Sequence, residues 1–317
     1  MGSADRLLKN FNFELEVEIF IGLSGESGDA TTMAEAVVSE TTPEIRTSEW
    51  LLAGVLLLVF LPALIALVGT WSSIDYYSHG FLVPLVAYWA AARSRVRFSI
   101  LQHRDRRAVI AAIAVVLFYA VGLASGSVSL QGLALVAAVA NCAFYLGGNQ
   151  GVRVLAFPLG FLVFMVPLPQ DWLTPLIVDL QLLVSSTAVD LLGWAGSAVV
   201  RSGNVIQLPA GDSLFVAEAC SGITSLVTLT PLAIVLAYFT ENTLARRLTI
   251  IFAVVPAAML GNLLRVIVTV LAAERYGAEA ATGNWLHESA GLFTFTLACF
   301  ALIGVGALLR RFAPAHA

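Results

Sequence analysis

Residues 51–69 read LLAGVLLLVFLPALIALVG and contain no charged side chain. An α-helix needs about 20 such residues to cross the hydrocarbon core of a bilayer. The whole chain has the same character, since 59% of its 317 residues are hydrophobic, 12% are charged and the mean hydropathy is +0.87. In lipid, backbone polar groups must be satisfied inside a helix or a closed barrel. The chain lacks the alternation of a barrel, so we expect an all-α polytopic membrane protein rather than a soluble enzyme.

Eight apolar segments are long enough to be membrane spans. They lie near residues 50–69, 74–92, 108–125, 129–147, 152–168, 221–240, 248–273 and 288–309. Basic residues in short loops stay on the cytoplasmic side. The loop at 93–107 contains six arginines, and others follow the fourth, sixth and eighth spans at Arg153, Arg246, Arg247, Arg310 and Arg311. All of them fall on one side of the predicted topology, so we expect both termini to be cytoplasmic.

Two segments before the sixth span are expected to stay on the outer side. Residues 172–200 are long enough to cross, but Asp179, Ser186 and Asp190 recur on one side of a helix. The opposite side carries Leu176, Leu180, Leu183 and Leu191. This pattern predicts an amphipathic helix in the outer interface. Residues 204–217 contain two β-prone stretches around Pro-Ala-Gly-Asp, which predict a short β-hairpin. Together, residues 172–217 are expected to form an insert outside the membrane.

The N-terminal 49 residues differ from the rest in charge. They hold ten of the 21 acidic and three of the 17 basic residues, and they lack the basic start and apolar stretch of a signal peptide. We expect residues 1–49 to be an acidic, flexible cytoplasmic extension. The alternative is a start codon placed too early, with Met33 as the later start. A transmembrane domain at 50–311 and a short tail at 312–317 complete the predicted organisation.

Three chemically active side chains fall on the outer side of the last three spans. Cys220 lies in VAEACSGITSL at the start of the sixth span, and His287 lies in NWLHESAG at the entrance to the eighth. Arg265, in GNLLRVIVTV, is 17 residues beyond the inner start of the seventh span at 248. At 1.5 Å per residue it lies roughly 25 Å across the membrane. Because polar groups are costly in a membrane, this grouping predicts a functional site.

The residue types suggest acyl transfer by a cysteine. A helix N-terminus and a nearby cation favour the thiolate, which is the nucleophilic form of cysteine. His287 could then transfer protons, while the permanently charged Arg265 could stabilise the thiolate or an oxyanion. Ser221 and Gly222 could add backbone N–H groups to an oxyanion hole. Taken singly, each residue also fits a structural role as a packing cysteine, a snorkelling arginine or an interfacial histidine.

Further residues are expected to support this site or bind the substrate. Glu218 could orient Arg265 or His287, and Asn262 is one helical turn before Arg265. His79, in DYYSHGFLVPL, could share in proton transfer, line the substrate entrance or be an interfacial anchor. The other two cysteines, Cys142 and Cys299, are widely spaced and predict neither a disulfide framework nor a zinc site. We expect no cofactor, metal, nucleotide or nucleic acid, because the chain has no matching motif and a single lysine.

These motifs resemble those of the exosortase/archaeosortase family. The resemblance rests on EACSG around Cys220, NLLR ending at Arg265, the later His287 and YYSHGFLVPL, and it covers roughly residues 71–310. It implies a cysteine transpeptidase of the inner membrane of Gram-negative bacteria, with its site facing the periplasm. Its partners would be membrane-anchored proteins with a C-terminal sorting signal, often Pro-Glu-Pro followed by a transmembrane helix and a basic cluster. The resemblance also implies an acyl-enzyme at Cys220 and leaves the acceptor nucleophile unknown.

Three other functions are compatible with the composition. A transporter or channel could use Arg265 and His287 for an anion or protons, but charges in such proteins usually lie in mid-span. A non-catalytic subunit of polysaccharide export would not need the thiol. A protease that transfers the acyl group to water would use the same residues, so the sequence leaves hydrolysis and transpeptidation open.

Overall fold

The structure, a computed structural model, describes residues 47–93, 106–216 and 221–312. The chain divides into two units, Met1–Leu52 and Ala53–Ala317. Of the first unit only residues 47–52 are described, as the start of a helix. The predicted acidic extension up to residue 46 and most of the predicted tail lie outside the described residues. Their organisation therefore stays a prediction.

The described chain is almost entirely helical, which confirms the all-α polytopic class. The principal helices are α1 (Thr47–Ser73), α2 (Leu82–Arg93), α3 (Arg107–Ala124), α4 (Val128–Val154), α5 (Ala156–Phe161), α6 (Gln170–Trp194), α7 (Ile223–Thr240), α8 (Leu244–Tyr276), α9 (Ala278–Thr282) and α10 (Asn284–Phe312). Two 3-10 turns, Asp75–Phe81 and Leu162–Met165, precede α2 and follow α5. Within the described residues, seven helices (α1, α3, α4, α6, α7, α8 and α10) are long and apolar enough to cross a membrane.

Two of the eight expected spans are not continuous long helices. Residues 74–92 form a 3-10 turn followed by the 12-residue α2, and residues 152–168 break into the end of α4, the six-residue α5 and a 3-10 turn. Proline explains both breaks, because its ring clashes with the carbonyl four residues earlier. Pro84 and Pro158 each lie in the first turn of a new helix. Pro167 and Pro169 then keep the chain extended before α6.

Helix α6 has the length and composition of a span, yet both of its ends are bound at the same end of the bundle. Just before its start, the backbone N–H of Leu168 donates to the Tyr77 hydroxyl at 2.8 Å. Beyond its end, the Ser197 hydroxyl donates to Glu274 near the C-terminus of α8. Tyr77 shares a packed cluster with Ile223 at the start of α7, and α7 runs antiparallel to α8. The placement of this segment outside the membrane stays a prediction.

The packing of α6 differs from the two-faced pattern expected from the sequence. Its buried stripe consists of Leu173, Ile177, Gln181, Val184, Ser185, Ala188 and Leu192. Two of the leucines that were expected to form the apolar face do not pack on the rest of the protein. The side chains of Leu176 and Leu183 are 44% and 55% exposed. The helix therefore has a third face, which packs on the protein. That face carries a buried glutamine.

The predicted hairpin is part of a three-stranded antiparallel sheet. Its strands are β1 (Val200–Ser202), β2 (Val205–Gln207) and β3 (Ser213–Phe215), in the order β1-β2-β3. Gly203, with φ of +65°, and Asn204 form the two-residue turn between β1 and β2, as such hairpins require. Ile206 and Leu214 are buried in a cluster that also contains residues of α6 and α8. One face of the sheet therefore packs on the helices. Its last strand ends at Phe215, five positions before Cys220.

Candidate active site

The predicted catalytic residues belong to three helices that pack together. Helix α8 contacts both α7 and α10. A buried cluster joins the three, and its members include Leu229, Ala233, Ile250, Val254, Ala258, Ala298 and Leu302. At the far end of this group, Arg310 of α10 donates to Glu241 at 2.9 Å, and Glu241 lies in the loop between α7 and α8. The relative positions of the helices are thus held by apolar packing and by this ion pair.

A tight turn leads the chain into α7. Ser221 is fully buried, and its hydroxyl accepts a hydrogen bond from the backbone N–H of Ile223 at 3.2 Å. Gly222 has φ of +89°, a left-handed conformation that favours glycine. A Cβ atom added to Gly222 would lie 3.5 Å from the Cβ of Asn262. The entry to α7 therefore packs directly on the middle of α8.

Cys220 and Glu218 lie outside the described residues, in the gap at 217–220. In the sequence, Cys220 directly precedes Ser221 and is two residues before Gly222. The side-chain positions of Cys220 and Glu218 stay predictions.

Arg265 lies one helical turn after Asn262, and its guanidinium contacts α10. A Cβ atom on Gly291 would lie only 3.2 Å from the guanidinium carbon of Arg265. Likewise, a Cβ on Gly261 would lie 3.3 Å from the carbonyl oxygen of Thr294. Small residues allow membrane helices to approach closely, and these two glycines do so at neighbouring levels. Because Gly291 has no side chain, the guanidinium of Arg265 fits against α10 at this position.

His287 is in the first turns of α10, for which only the helical backbone is described at this position. It precedes Gly291 by four residues, and residues four apart lie on the same face of a helix. Residue 287 therefore lies one helical turn from Gly291 along α10, and the position of its side chain stays a prediction. The structure brings together Asn262, Arg265 and the turn before α7.

His79 is engaged by backbone carbonyls. Its Nδ1 lies 3.0 Å from the carbonyl oxygen of Tyr76, and its Nε2 lies 3.1 Å from that of Phe164. Nearby, the indole N–H of Trp71 donates to the carbonyl of Met165 at 2.8 Å. These side chains bind carbonyls that the break after α5 leaves without helical partners. In this arrangement His79 joins the 3-10 turn before α2 to the one after α5.

The surroundings of His79 also affect its protonation. The turn at Asp75–Phe81 lies outside the seven candidate spans. Burial lowers the pKa of His79 from its ordinary value, and the contacts with the two carbonyls oppose that effect. A neutral imidazole carries one N–H, so His79 donates to one of the two carbonyls and stabilises the fold near the site through that bond. The proton transfer considered for His79 stays a prediction.

One residue that the sequence did not single out holds the strand before Cys220. Gln181 of α6 is only 6% exposed, and its amide donates to the carbonyl of Val216 at 3.1 Å. The amide oxygen of Gln181 accepts from the side chain of Asn204 at 3.3 Å. The backbone N–H of Val216 in turn donates to the carbonyl of Asn204 at 2.9 Å. The only sequence signal was a glutamine in a stripe that is apolar apart from Gln181 and Ser185.

The described residues contain no group of three or more His, Cys, Asp and Glu side chains that could hold a metal ion.

The chain matches a family model described as transmembrane exosortase over residues 71–304. This range is more than half of the chain and includes every residue of the site. Neither the curated proteins nor the solved structures contain a match to the chain.

Proposed function

Because this chain belongs to the transmembrane exosortase family, we propose that it is a cysteine transpeptidase that processes exported proteins at their C-terminal sorting signals. Its substrates are anchored in the same bilayer, and the cut is made at the periplasmic face of the bacterial inner membrane. The new carboxyl end passes to an acceptor nucleophile. Both termini of the enzyme are cytoplasmic, as the arginine distribution predicts.

In this proposal Cys220 is the nucleophile. Its thiolate attacks the carbonyl carbon of the scissile peptide bond, the C–N bond breaks, and the leaving amine takes a proton from the His287 imidazolium. The acyl group stays on Cys220 as a thioester. An acceptor amine, hydroxyl or water then attacks the thioester, gives its proton to His287 and expels the thiolate. Over the whole cycle His287 gives up one proton and regains one, so the enzyme returns to its starting protonation state.

Arg265 has an electrostatic role in this mechanism. A guanidinium is permanently charged and cannot act as a base, but it stabilises a thiolate or the oxyanion of the tetrahedral intermediate. The backbone N–H groups of Ser221 and Gly222 add donors at the start of α7, where the helix dipole also favours negative charge. Glu218 and Asn262 are assigned to orientation of Arg265 or His287.

One observation carries the proposal. The turn that follows Cys220 packs on Asn262, while the guanidinium of Arg265, one turn further along α8, lies against Gly291. Residue 287 is one helical turn before Gly291. The family assignment is thereby supported by a local convergence of the three elements that carry the cysteine, the arginine and the histidine.

A membrane-anchored substrate suits a site at one end of the bundle. An anchored helix diffuses in two dimensions and presents its scissile bond at a fixed depth, which raises its effective concentration. Helix α6 packs beside the start of α7, and the β-sheet packs on α6 and α8. In this proposal they form a lid or floor around the cleavage motif. Deletion of residues 204–217 is expected to reduce processing while the protein stays in the membrane. Normal processing by this deletion variant would count against the lid.

The decisive experiment is co-expression with a reporter substrate. The reporter ends in a Pro-Glu-Pro motif, an apolar helix and a basic cluster, and its size and new C-terminus are followed by gel and mass spectrometry. Cys220→Ala is expected to abolish processing at a normal membrane level. Cys142→Ala and Cys299→Ala, which change partly buried thiols elsewhere, are the matched controls and should process like the wild type.

The possible results separate the alternatives. Loss in Cys220→Ala alone would support the nucleophile, and the mass added to the new C-terminus would identify the acceptor as water or another group. Equal processing by Cys220→Ala would remove Cys220 from catalysis. Absence of processing by the wild type would reject the proposed substrate class.

A further inference from the structure

We propose that the free edge of β3 binds the substrate by adding the extended peptide next to the scissile bond as a fourth strand. This inference rests on the proposed function and concerns how the same site recognises its substrate. The ligand is a polypeptide backbone, which the edge recognises through main-chain hydrogen bonds.

The ladder between β2 and β3 shows which backbone groups point outward. Val216 donates to Asn204 at 2.9 Å, and Leu208 donates to Asp212 at 2.8 Å. Antiparallel pairs alternate between bonded and non-bonded, so the intermediate pair of Ile206 and Leu214 is bonded. The pairs that contain Ser213 and Phe215 are then the non-bonded ones. The N–H and C=O groups of these two residues point away from β2.

This outward edge is open in the part of the chain that the structure describes. β3 is the last strand of the sheet. Among the described residues, no hydrogen bond reaches the backbone of Ser213 or Phe215 on that side. Phe215 is 64% exposed, while Leu214 between them is buried. An unpaired edge of this kind is a template for another strand.

The position of β3 in the chain argues for the substrate as its occupant. Cys220 is only five positions after Phe215 in the chain. A chain of that length spans at most about 18 Å. A peptide paired with Phe215 therefore has its scissile bond within about five residues of the paired position. Peptide bonds attacked by a nucleophile must be accessible from one side, and an extended strand meets that need.

The edge is also held in place. Val216, directly after β3, is bound through its N–H to Asn204 and through its carbonyl to buried Gln181. A rigid edge loses little entropy when a peptide adds to it. The opposite edge of the sheet, β1, contacts α6 and lies two strands away from the chain that leads to Cys220. It provides the natural control.

Proline substitutions test the edge, because proline removes one backbone donor and is tolerated at sheet edges. Phe215→Pro removes the outward N–H on β3. Arg201→Pro removes the corresponding outward N–H on β1, since Arg201 pairs with Ile206 between the bonded pairs of its own ladder. The assay is processing of the Pro-Glu-Pro reporter by full-length protein in membranes. Membrane level and thermal unfolding in detergent report on folding.

We expect Phe215→Pro to lower kcat/KM about fivefold or more, mainly through KM, because one peptide hydrogen bond is lost. Arg201→Pro should process the reporter at the wild-type rate. Phe215→Val keeps the N–H and should retain more activity than Phe215→Pro. Equal activity of the two proline variants would overturn the inference and leave the proposed function intact. An inactive wild type would overturn both.

If Phe215→Pro does not fold, a cross-linking experiment tests the same inference. A photoreactive amino acid is placed at position 215 or at position 201 in the Cys220→Ala protein, and the reporter is added. Cross-links to the residues flanking the scissile bond from position 215, and few from 201, are the expected result. Cross-linking from 201 that equals or exceeds that from 215 would refute edge binding.

Discussion

Gly291→Ala tests whether the space for the Arg265 guanidinium governs catalysis. The added Cβ would lie 3.2 Å from the guanidinium carbon and 3.2 to 3.3 Å from its two terminal nitrogens. Ordinary contacts between carbon atoms are about 3.5–4.0 Å, so the guanidinium must move by a few tenths of an ångström. The substitution changes the position of the charge and keeps the charge itself.

The expected effect on activity is larger than the effect on stability. Removal of a whole oxyanion-hole donor costs about 100- to 1,000-fold in kcat, and a misplacement of about 1 Å can cost about 100-fold. For a smaller shift of Arg265 we expect a loss of about tenfold in kcat. Alanine in a helix is about 0.5–1 kcal/mol more favourable than glycine. Gly291→Ala should therefore unfold at or slightly above the wild-type temperature.

The assay compares three variants with the reporter substrate at equal membrane levels. Gly304→Ala is the matched control in the same helix, because a Cβ there meets no atom within 4 Å. It should keep full activity and gain stability. Arg265→Lys, which loses the planar guanidinium, should lose more than Gly291→Ala. The reasoning would be refuted if Gly291→Ala and Gly304→Ala had the same kcat. It would also be refuted if the loss of activity in Gly291→Ala were fully explained by a smaller amount of folded protein.

Two further predictions concern buried polar contacts. Gln181→Leu removes the donor to the carbonyl of Val216, so we expect a loss of about 1–3 kcal/mol in the free energy of unfolding and slower processing of the reporter. A variant with unchanged stability and processing would show that the contact does not hold the strand. Glu241→Gln removes the charge that Arg310 binds at 2.9 Å, and should also cost about 1–3 kcal/mol in thermal unfolding. Arg311→Gln, on the exposed neighbour, should stay within about 0.5 kcal/mol, and a similar loss in both would contradict the assignment to the ion pair.

In the proposed enzyme, the helices that carry the candidate site must be held in fixed positions. Helices α7, α8 and α10 are packed by apolar residues along their length and joined by the Glu241–Arg310 pair at the end opposite the turn before α7. Catalytic groups must be held close to their productive geometry by supporting contacts. Buried contacts remote from the chemistry can therefore affect the rate, which the Glu241→Gln protein can also report.

The prediction of spans from hydropathy succeeded where the helices are uninterrupted. Six expected spans coincide with long apolar helices, because helix formation in lipid depends on local composition and on backbone bonds inside the segment. Residues 74–92 and 152–168 are interrupted instead, because Pro84 and Pro158 start new helices there. The freed carbonyls near the second break are bound by Trp71 and His79 from a distant part of the chain. Such long-range compensation has no signature in a hydropathy profile.

The sequence by itself determined the membrane class, the family motifs and the three residue types of the proposed chemistry, because these depend on composition and on short motifs. Only the tertiary structure decided which face of α6 is buried, that Gln181 holds the strand before Cys220, and that Gly291 makes space for Arg265. Each of these depends on which backbone lies opposite a given side chain. That pairing arises from the packing of helices far apart in the chain, and a linear pattern of residues does not contain it.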